Sequence, residues 1–507
     1  MASVGSVILT VLAGGVATLA VVLVSLTAFL YLLYRDDLRS RRSASGPWAE
    51  QEVVRPPSGK LRFALFYWGS RGDFQPLAVL AQQLKREGHS VLINVRERYR
   101  EAGLSLGLEE SELFAQEEDH TEDVVTVQLQ GKSGPRGIYY LFRHVAEHTP
   151  AYLRQFDEMV TRAKADVLIV NEFALNVGIL AADKHRLPLF VLRYTPLFTA
   201  TTERLCPMVG TGDKGGFLNW LSYTLPSFMR IFLEGPVLRR LRRVHGLSAR
   251  PALSYFFGRG FWQYPAIQAY SSTLMPVPHK DLPPWYFNPG PLLPPSQEET
   301  EAVPEALSDF LRRSGEQPII YIGFGSFSLL QFLPLAQARQ AAHAMLGAVQ
   351  ELGIRAILLE HTFDFMLEDP ILQNPQWYMG KRFPHSWLFP RVSVIVHQGG
   401  AGHCAASARS GRPTIAIPIF EEQEVNAQAL VSAGVAVRLR IQELTRESFK
   451  RAFQEVLRLE GQARGVGARL DEQVRHSGET AVKELLGWLG SSRAEPQRGG
   501  VGARGSG

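Results

Sequence analysis

A chain of 507 residues exceeds what one ordinary hydrophobic core organises and points to roughly two or three domains. Its composition is that of a globular protein, 45% hydrophobic and 20% charged, and a net charge of +5 over this length does not indicate a nucleic-acid binder. Cys206 and Cys404 are the only cysteines and stand far apart, so neither a disulfide framework nor a metal-ligand spacing is present, which fits a reducing compartment.

From Val7 to Tyr34 no residue is charged, and Val, Leu, Ala and Phe dominate. About 20 apolar residues span a bilayer as a helix, so this run is long enough with some tilt. A cleaved signal peptide would want a basic n-region, a shorter apolar core and a small-residue cleavage site. Met1 to Ser6 carries no side-chain charge, and the run ends in Tyr31, Tyr34 and Arg35. The expectation is therefore an uncleaved single-pass transmembrane helix within residues 1–34. Arg35, Arg39, Arg41 and Arg42 follow it while the short N-terminal flank has no basic residue, so the positive-inside rule places the body of the chain on the cytosolic face. The absence of any Asn-x-Ser/Thr acceptor agrees with a body that never enters the secretory lumen.

Residues 35–60 are polar, carry Pro47, Pro56 and Pro57, and read as a linker. An apolar strand begins at Arg62, runs into a glycine turn and then a helical stretch from Leu77 to Glu87. Gly88 closes that helix and a second strand follows at Val91 to Val95. Such a strand–turn–helix–strand unit builds parallel α/β sheets. Val167 to Val170 and Leu187 to Leu192 continue the pattern. Pro276, Pro278, Pro283, Pro284, Pro289, Pro291, Pro294 and Pro295 then form a crossing too proline-dense for helices or central strands. The pattern restarts beyond it: strands at Pro318 to Gly323, Ala356 to Leu359, Ser393 to Val396 and Thr414 to Pro418, with helices at Leu335 to Leu352 and Ala401 to Ser410. The expected division is an α/β domain over 61–295, a second over 296–490, and a disordered tail over 491–507. Two such halves place a cleft between the C-terminal edges of two sheets, where open α/β folds bind ligands.

The stretch from Val396 to Ala405 carries the most chemistry. A strand ends, Gln398, Gly399, Gly400, Ala401 and Gly402 turn the backbone, and a helix starts at once. Its first amides lack intrahelical partners and the helix dipole puts partial positive charge there, so a diphosphate can be held without a basic side chain or a metal. A plain glycine turn is common in any α/β protein, and both readings stand on these residues. The next strand delivers Glu421, Glu422 and Gln423, which can hydrogen-bond several sugar hydroxyls; a solvated acidic helix start is the alternative. Phe217 to Leu233 is rich in large apolar residues, with Arg239, Arg240, Arg242 and Arg243 following. It reads equally as a face lying on an anionic membrane or as a core helix followed by a basic one. No Asp-x-Asp triad, dinucleotide fingerprint or Walker A sequence is present, so neither a metal nor NAD or ATP is expected.

Together with Pro384-His385-Ser386-Trp387-Leu388-Phe389-Pro390, the glycine turn and its carboxylates look like the donor-binding signature of the UDP-glycosyltransferase superfamily, closest to the sterol 3-beta-glucosyltransferase branch. Tyr321 to Ser326 is similar to the first strand and loop of that family's C-terminal domain, and Gly69 to Pro76 resembles the branch's opening motif. The resemblance runs from about Leu61 to Val437, with four motifs in order. It implies a GT-B type fold, two Rossmann-like domains facing a cleft, and an inverting, metal-independent transfer of a hexose, glucose in this branch, from a UDP-sugar to a lipid hydroxyl such as a sterol's. Carried over by position, Phe383 and His385 would meet uracil and ribose. Ser326, Gln398, Gly399, Gly400, Ala401 and Gly402 would hold the diphosphate, and Glu422 and Gln423 the sugar. Asp73 would be the catalytic base, in an acceptor loop of Gly69, Ser70, Arg71 and Gly72. The chain departs from the pattern where Gln398 replaces a histidine, His403 a threonine and Glu422 an aspartate, which touches donor-sugar identity most. Rival expectations are an epimerase or hydrolase of UDP-sugars and a membrane-tethered scaffold without catalysis. The residues do not identify the partner that orients Asp73.

Overall fold

The computed structural model describes residues 24–42, 46–49, 51–54, 56, 59–116, 135–196, 199–206, 209, 212–275, 281–294, 303–325, 328–331, 333–419 and 421–491. Two parallel sheets organise them. In the first, β1 (Arg62–Phe66), β2 (Ser90–Val95), β3 (Leu113–Ala115), β4 (Val167–Asn171), β5 (Leu189–Arg193), β6 (Ala266–Gln268) and β7 (Tyr286–Phe287) lie in the order β3-β2-β1-β4-β5-β6-β7. In the second, β8 (Ile319–Ile322), β9 (Arg355–Leu359), β10 (Trp377–Gly380), β11 (Val394–His397), β12 (Thr414–Ala416) and β13 (Ala436–Arg438) lie in the order β10-β9-β8-β11-β12-β13. The central registers pair Phe63 with Val167 and Val396 with Ile322, both parallel.

Helices cover these sheets: α1 (24–42), α2 (Arg71–Arg86), α3 (Glu97–Ser105), α4 (Pro135–Ala163), α5 (Leu175–His185), α6 (Gly216–Val244) and α7 (Arg259–Trp262) around the first. Around the second lie α8 (Glu305–Ser314), α9 (Leu335–Glu351), α10 (His385–Leu388), α11 (Ala401–Arg409), α12 (Glu421–Ser432), α13 (Arg446–Leu457) and α14 (Glu460–Ser491). Parallel strands need crossover connections, and the helices that supply them bury both sheet faces. That is why the central strands are continuous apolar runs: β4 and β5 are buried at every position. Each fully buried Val, Leu or Ile contributes about 1.5–3 kcal/mol relative to exposure.

The strand order reverses between β1 and β4 in one sheet and between β8 and β11 in the other. At such a switch point the loops leaving the two strands diverge and open a crevice. The residues after β1 and β4 are therefore brought side by side, as are those after β8 and β11.

Three expectations change. Helix α2 starts at Arg71 rather than near Leu77, because Ser70 caps it and Asp73 closes a capping box. The stretch expected as a free linker is in part built into the first domain. Asp37 on α1 accepts from the indole N–H groups of Trp262 (2.6 Å) and Trp220 (2.9 Å). Arg41 pairs with Asp281 at 2.9 Å, and the Trp48 indole donates to the Leu189 carbonyl at 3.0 Å. The last helix, α14, leaves the second domain: Leu485 and Leu489 join the first domain's core, and Ser477 donates to the Pro291 carbonyl at 2.8 Å.

Of the expected membrane span, residues 7–23 lie outside the described residues, as do 492–507 of the expected tail. Among the described residues no helix is long and apolar enough to cross a membrane. Leu33 and Tyr34 of α1 pack on the core, while Leu26, Phe29 and Leu32 are exposed. Most of α6 is a core helix: Trp220 and Tyr223 are buried, and Arg230 pairs in the interior with Glu234 at 2.6 Å. Leu218, Phe232 and Val244 are its exposed large apolar residues among those described.

Candidate active site

The two crevices face each other across one cavity of about 640 Å³. From the first domain it is lined by Ser70, Arg71, Gly72, Asp73, Phe173 and Tyr194. From the second come Gly325, Phe383, His385, Gln398, Gly400, Ala401, Gly402, His403, Glu422 and Gln423. The structure thus brings together most of the residues singled out in the sequence. Ser326 lies outside the described residues. Gly69 and Gly399 are not in the lining but hold the loops that are.

Asp73 sits one turn into α2, so a helix and not a loose turn fixes its position. Both carboxylate oxygens are engaged. Oδ2 accepts from the Ser70 N–H (2.6 Å) and the Ser70 hydroxyl (3.0 Å). Oδ1 accepts from the Asn171 amide at 3.2 Å and from the Tyr194 hydroxyl. These are the orienting partners the sequence left open. Asn171 ends β4 and Tyr194 follows β5, so the strand order delivers both to the β1 loop. Asn171 is itself fixed, donating to the Trp68 carbonyl (2.9 Å) and accepting from the Trp68 N–H (3.2 Å) and the Ala174 N–H (3.2 Å). Gly69 adopts φ +133, and a Cβ there would lie 2.3 Å from Asp73 Oδ2, so only glycine lets the loop close over the carboxylate.

Next to Asn171, Glu172 is buried and accepts from the Thr195 hydroxyl at 3.2 Å. Burial pushes its carboxyl up to about 8, against the pull of the Arg193 guanidinium; Glu422 and Asp73 add repulsion in the same direction. Glu422 is raised as well, by burial, with Asn426 beside it opposing. A protonated carboxyl thus backs one wall at neutral pH.

On the opposite wall, β11 ends at His397 and α11 begins at Ala401. His397 Nδ1 accepts from the Gly399 N–H at 2.9 Å, and its Nε2 lies 3.0 Å from the Ser407 hydroxyl, which donates to the Cys404 carbonyl. A neutral imidazole with its proton on Nε2 satisfies all three contacts. Gly399 at φ +89 passes so close to α12 that a Cβ would lie 2.6 Å from the Gln423 carbonyl. The Gly399 carbonyl accepts from Asn426 at 3.0 Å, which ties α12 to the glycine turn, and Gln423 Oε1 accepts from the Ile419 N–H at 3.0 Å.

Gly400 caps α11 without a side-chain hydrogen bond, so the first amides of this nine-residue helix open on the cavity. The Gln398 Oε1 and His403 Nε2 atoms beside them are buried and have no hydrogen-bond partner among the described residues. Open amides, a positive dipole end and waiting polar atoms suit an anion. His385 stacks on Phe389 at 4.4 Å and Phe383 meets Tyr321 edge-on at 5.9 Å, which gives the same wall an aromatic side fit for a planar base. Among the described residues no group of three or more His, Cys, Asp or Glu could hold a metal ion.

Asn171, Glu172, Tyr194 and His403 entered the site unannounced, or in the case of His403 as a departure only. Polar residues closing an apolar strand were the available signal at Asn171 and Glu172; none marks Tyr194.

Residues 377–480 match the family of erythromycin biosynthesis protein CIII-like C-terminal domains. The sterol 3-beta-glucosyltransferase of Pichia angusta is 29% identical over 461 residues, 85% of this chain and 34% of that protein. That of Saccharomyces cerevisiae (strain YJM789) is 28% identical over 392 residues, 76% and 31% of the two chains. The chain spans about a third of the length of these curated relatives. Among solved structures, a calicheamicin glycosyltransferase aligns with TM-score 0.60 and 16% identity over 86% of this chain and 100% of its own. A spinosyn rhamnosyltransferase complexed with thymidine diphosphate aligns with TM-score 0.57 and 17% identity over 84% and 100%. The chain resembles the sterol 3-beta-glucosyltransferases in sequence and has the two-domain GT-B fold of the glycosyltransferase structures.

Proposed function

We propose that this protein is an enzyme transferring a hexose, glucose in the first instance, from a UDP-sugar to the hydroxyl of a sterol or related lipid, with inversion and without a metal. The observation that carries the reading is the placement of a four-fold held carboxylate, Asp73, across one cavity from the open N-terminus of α11.

The nucleotide would lie along the second domain. His385 and Phe383 would face the base and ribose, the amides of Ala401 and Gly402 with Gln398 the diphosphate, and Glu422 and Gln423 the sugar. The acceptor hydroxyl would approach from the first domain beside Asp73. A carboxylate has about four acceptor positions, and all four are occupied. Ser70 and Tyr194 both line the cavity and both reach Asp73 through a hydroxyl, so the acceptor hydroxyl would take the place of one of these two donors. Asp73 then takes the acceptor proton as that oxygen attacks the anomeric carbon, and the diphosphate departs with its growing charge held by the helix amides. Arg71, at the start of α2, lines the cavity on the other wall and would face the same anion.

In the same reading, the apolar run 7–34 holds the enzyme at a membrane with the body on the cytosolic side, close to a lipid acceptor. The test is transfer of radiolabel from UDP-glucose into lipid, with sterol, ceramide and diacylglycerol offered separately. Label in the sterol fraction supports the reading. Label only as free glucose, with every acceptor, would replace it with a hydrolase.

A further inference from the structure

His403 is the third residue of α11, and its imidazole lies beside the helix cap, where a Cβ on Gly400 would come within 4.0 Å of its Nδ1. The loop after β8 makes room for it: Gly325 has φ +67, and a Cβ there would lie 2.7 Å from His403 Cε1. The ring sits 4.8 Å from His385 and 5.7 Å from His397. His397 is committed to the turn, through Gly399 and Ser407. His385 is stacked on Phe389. His403 Nε2, in contrast, is buried in the cavity wall with no partner among the described residues, and so is Oε1 of Gln398, a residue 2% exposed.

Unpartnered buried polar atoms are costly, and two of them beside open helix amides mark a place prepared for a ligand with oxygens to share. The charged and titratable groups acting on or against His403 are Arg71 from α2, His385 from α10 and His397 from β11; Glu422 from α12 lines the same cavity and acts on the neighbouring Cys404, and the Arg409–Asp471 pair lies at the far end of α11. Burial and the Arg71 charge hold the imidazole down at about 4, so it is neutral at pH 7. An anion against the helix end reverses the balance. Each opposite charge in contact favours protonation by about tenfold to a thousandfold. Gln398 cannot respond in this way, because an amide takes no proton.

We propose that His403 is a diphosphate ligand that becomes protonated as the nucleotide sugar binds, so that donor binding takes up one proton from solvent. The inference rests on the donor-site reading above. The proton stays on the imidazole while UDP remains and leaves with it; no bond to the sugar or acceptor is involved. The cationic imidazole would then face the departing diphosphate together with Arg71.

Calorimetric titration of the full chain with UDP-glucose tests this, in buffers of different ionisation enthalpy between pH 5.5 and 8. UDP-glucose is a suitable probe because its diphosphate diester does not titrate in that range. The expected result is uptake approaching one proton at the acidic end, with Kd weakening by up to tenfold per pH unit as pH rises. The His403→Gln variant should bind without proton uptake and with a flat pH dependence. Binding by the wild-type chain with no proton uptake at any pH would overturn the inference and leave the donor reading standing, as would the same uptake in His403→Gln. No binding of UDP-glucose at all would overturn both.

Discussion

The two walls of the cleft solve opposite electrostatic problems with different materials. The first domain gathers carboxyls, Asp73 and Glu172, and surrounds them with neutral donors: Ser70, Asn171, Tyr194 and Thr195. The second gathers imidazoles, His385, His397 and His403, and burial holds all three well toward the neutral form. Its positive character comes from helix amides, which carry no removable proton and need no counter-ion. In the proposed reaction the wall that would accept a proton keeps an anion in a rigid cradle. The wall that would hold the diphosphate would keep its own charge latent until the ligand arrives. Each wall is strained in the direction of its task, and changing pH should relax one while stressing the other.

The largest effect should come from Glu172. Its folded-state pKa is raised above the unfolded value, so the folded chain binds the extra proton and stability falls as pH rises from about 4.5 toward 8. Glu172→Gln removes that dependence. It should stabilise the chain by about 3 kcal/mol at pH 7 and by nearly nothing at pH 4, read from urea melts at the two values. An equal gain at both would mean that Glu172 is not held protonated.

The histidine wall should behave in the reverse sense. Folded-state pKa values below the unfolded 6.5 leave stability constant above pH 6.5 and erode it below, because only the unfolded chain takes up the protons. Between pH 6.5 and 5.5 the loss should be about 2 kcal/mol, with a full share from His397 and screened shares from the two partly exposed rings. UDP-glucose should reduce that loss, which a thermal melt with and without the ligand would register.

Gly399→Ala sharpens the comparison from the donor side. The added methyl meets the Gln423 carbonyl and the φ of +89 is strained for alanine, so the turn must shift. UDP-glucose binding should weaken tenfold or more, or about 1.4 kcal/mol, while Asp73 and its partners are untouched. The smallest effect is expected at Ser70. Ser70→Ala removes a helix cap and one of four donors to Asp73, which should lower stability by about 1 kcal/mol and slow transfer without altering donor affinity.

What the sequence revealed follows from how far each signal travels along the chain. Val167 to Val170 and Ile319 to Ile322 were legible as strands because a parallel strand buried on both faces leaves an unbroken apolar run. The glycine turn before α11 was legible because its conformational demand is local. The start of α2 was misplaced although Ser70 and Asp73 stand at capping-box spacing, since Gly69, Gly72 and Pro76 mimic a turn. The donors to Asp73 carried no such mark: Asn171 and Tyr194 lie 98 and 121 residues away in sequence, and only strand order unites them. For the same reason no local pattern showed that α14 returns to the first domain, or that Asp37 and Arg41 bury themselves in it rather than stand in a tether.

The central claim is that the walls divide the labour, donor binding on one and proton removal on the other. Asp73→Asn tests it most directly when UDP-glucose affinity and sterol glucosylation are measured on the same preparation. The account predicts affinity within about threefold of wild type and transfer reduced by about a hundredfold to ten-thousandfold. Transfer at the wild-type rate would contradict it, and so would a loss of activity explained wholly by lost UDP-glucose binding.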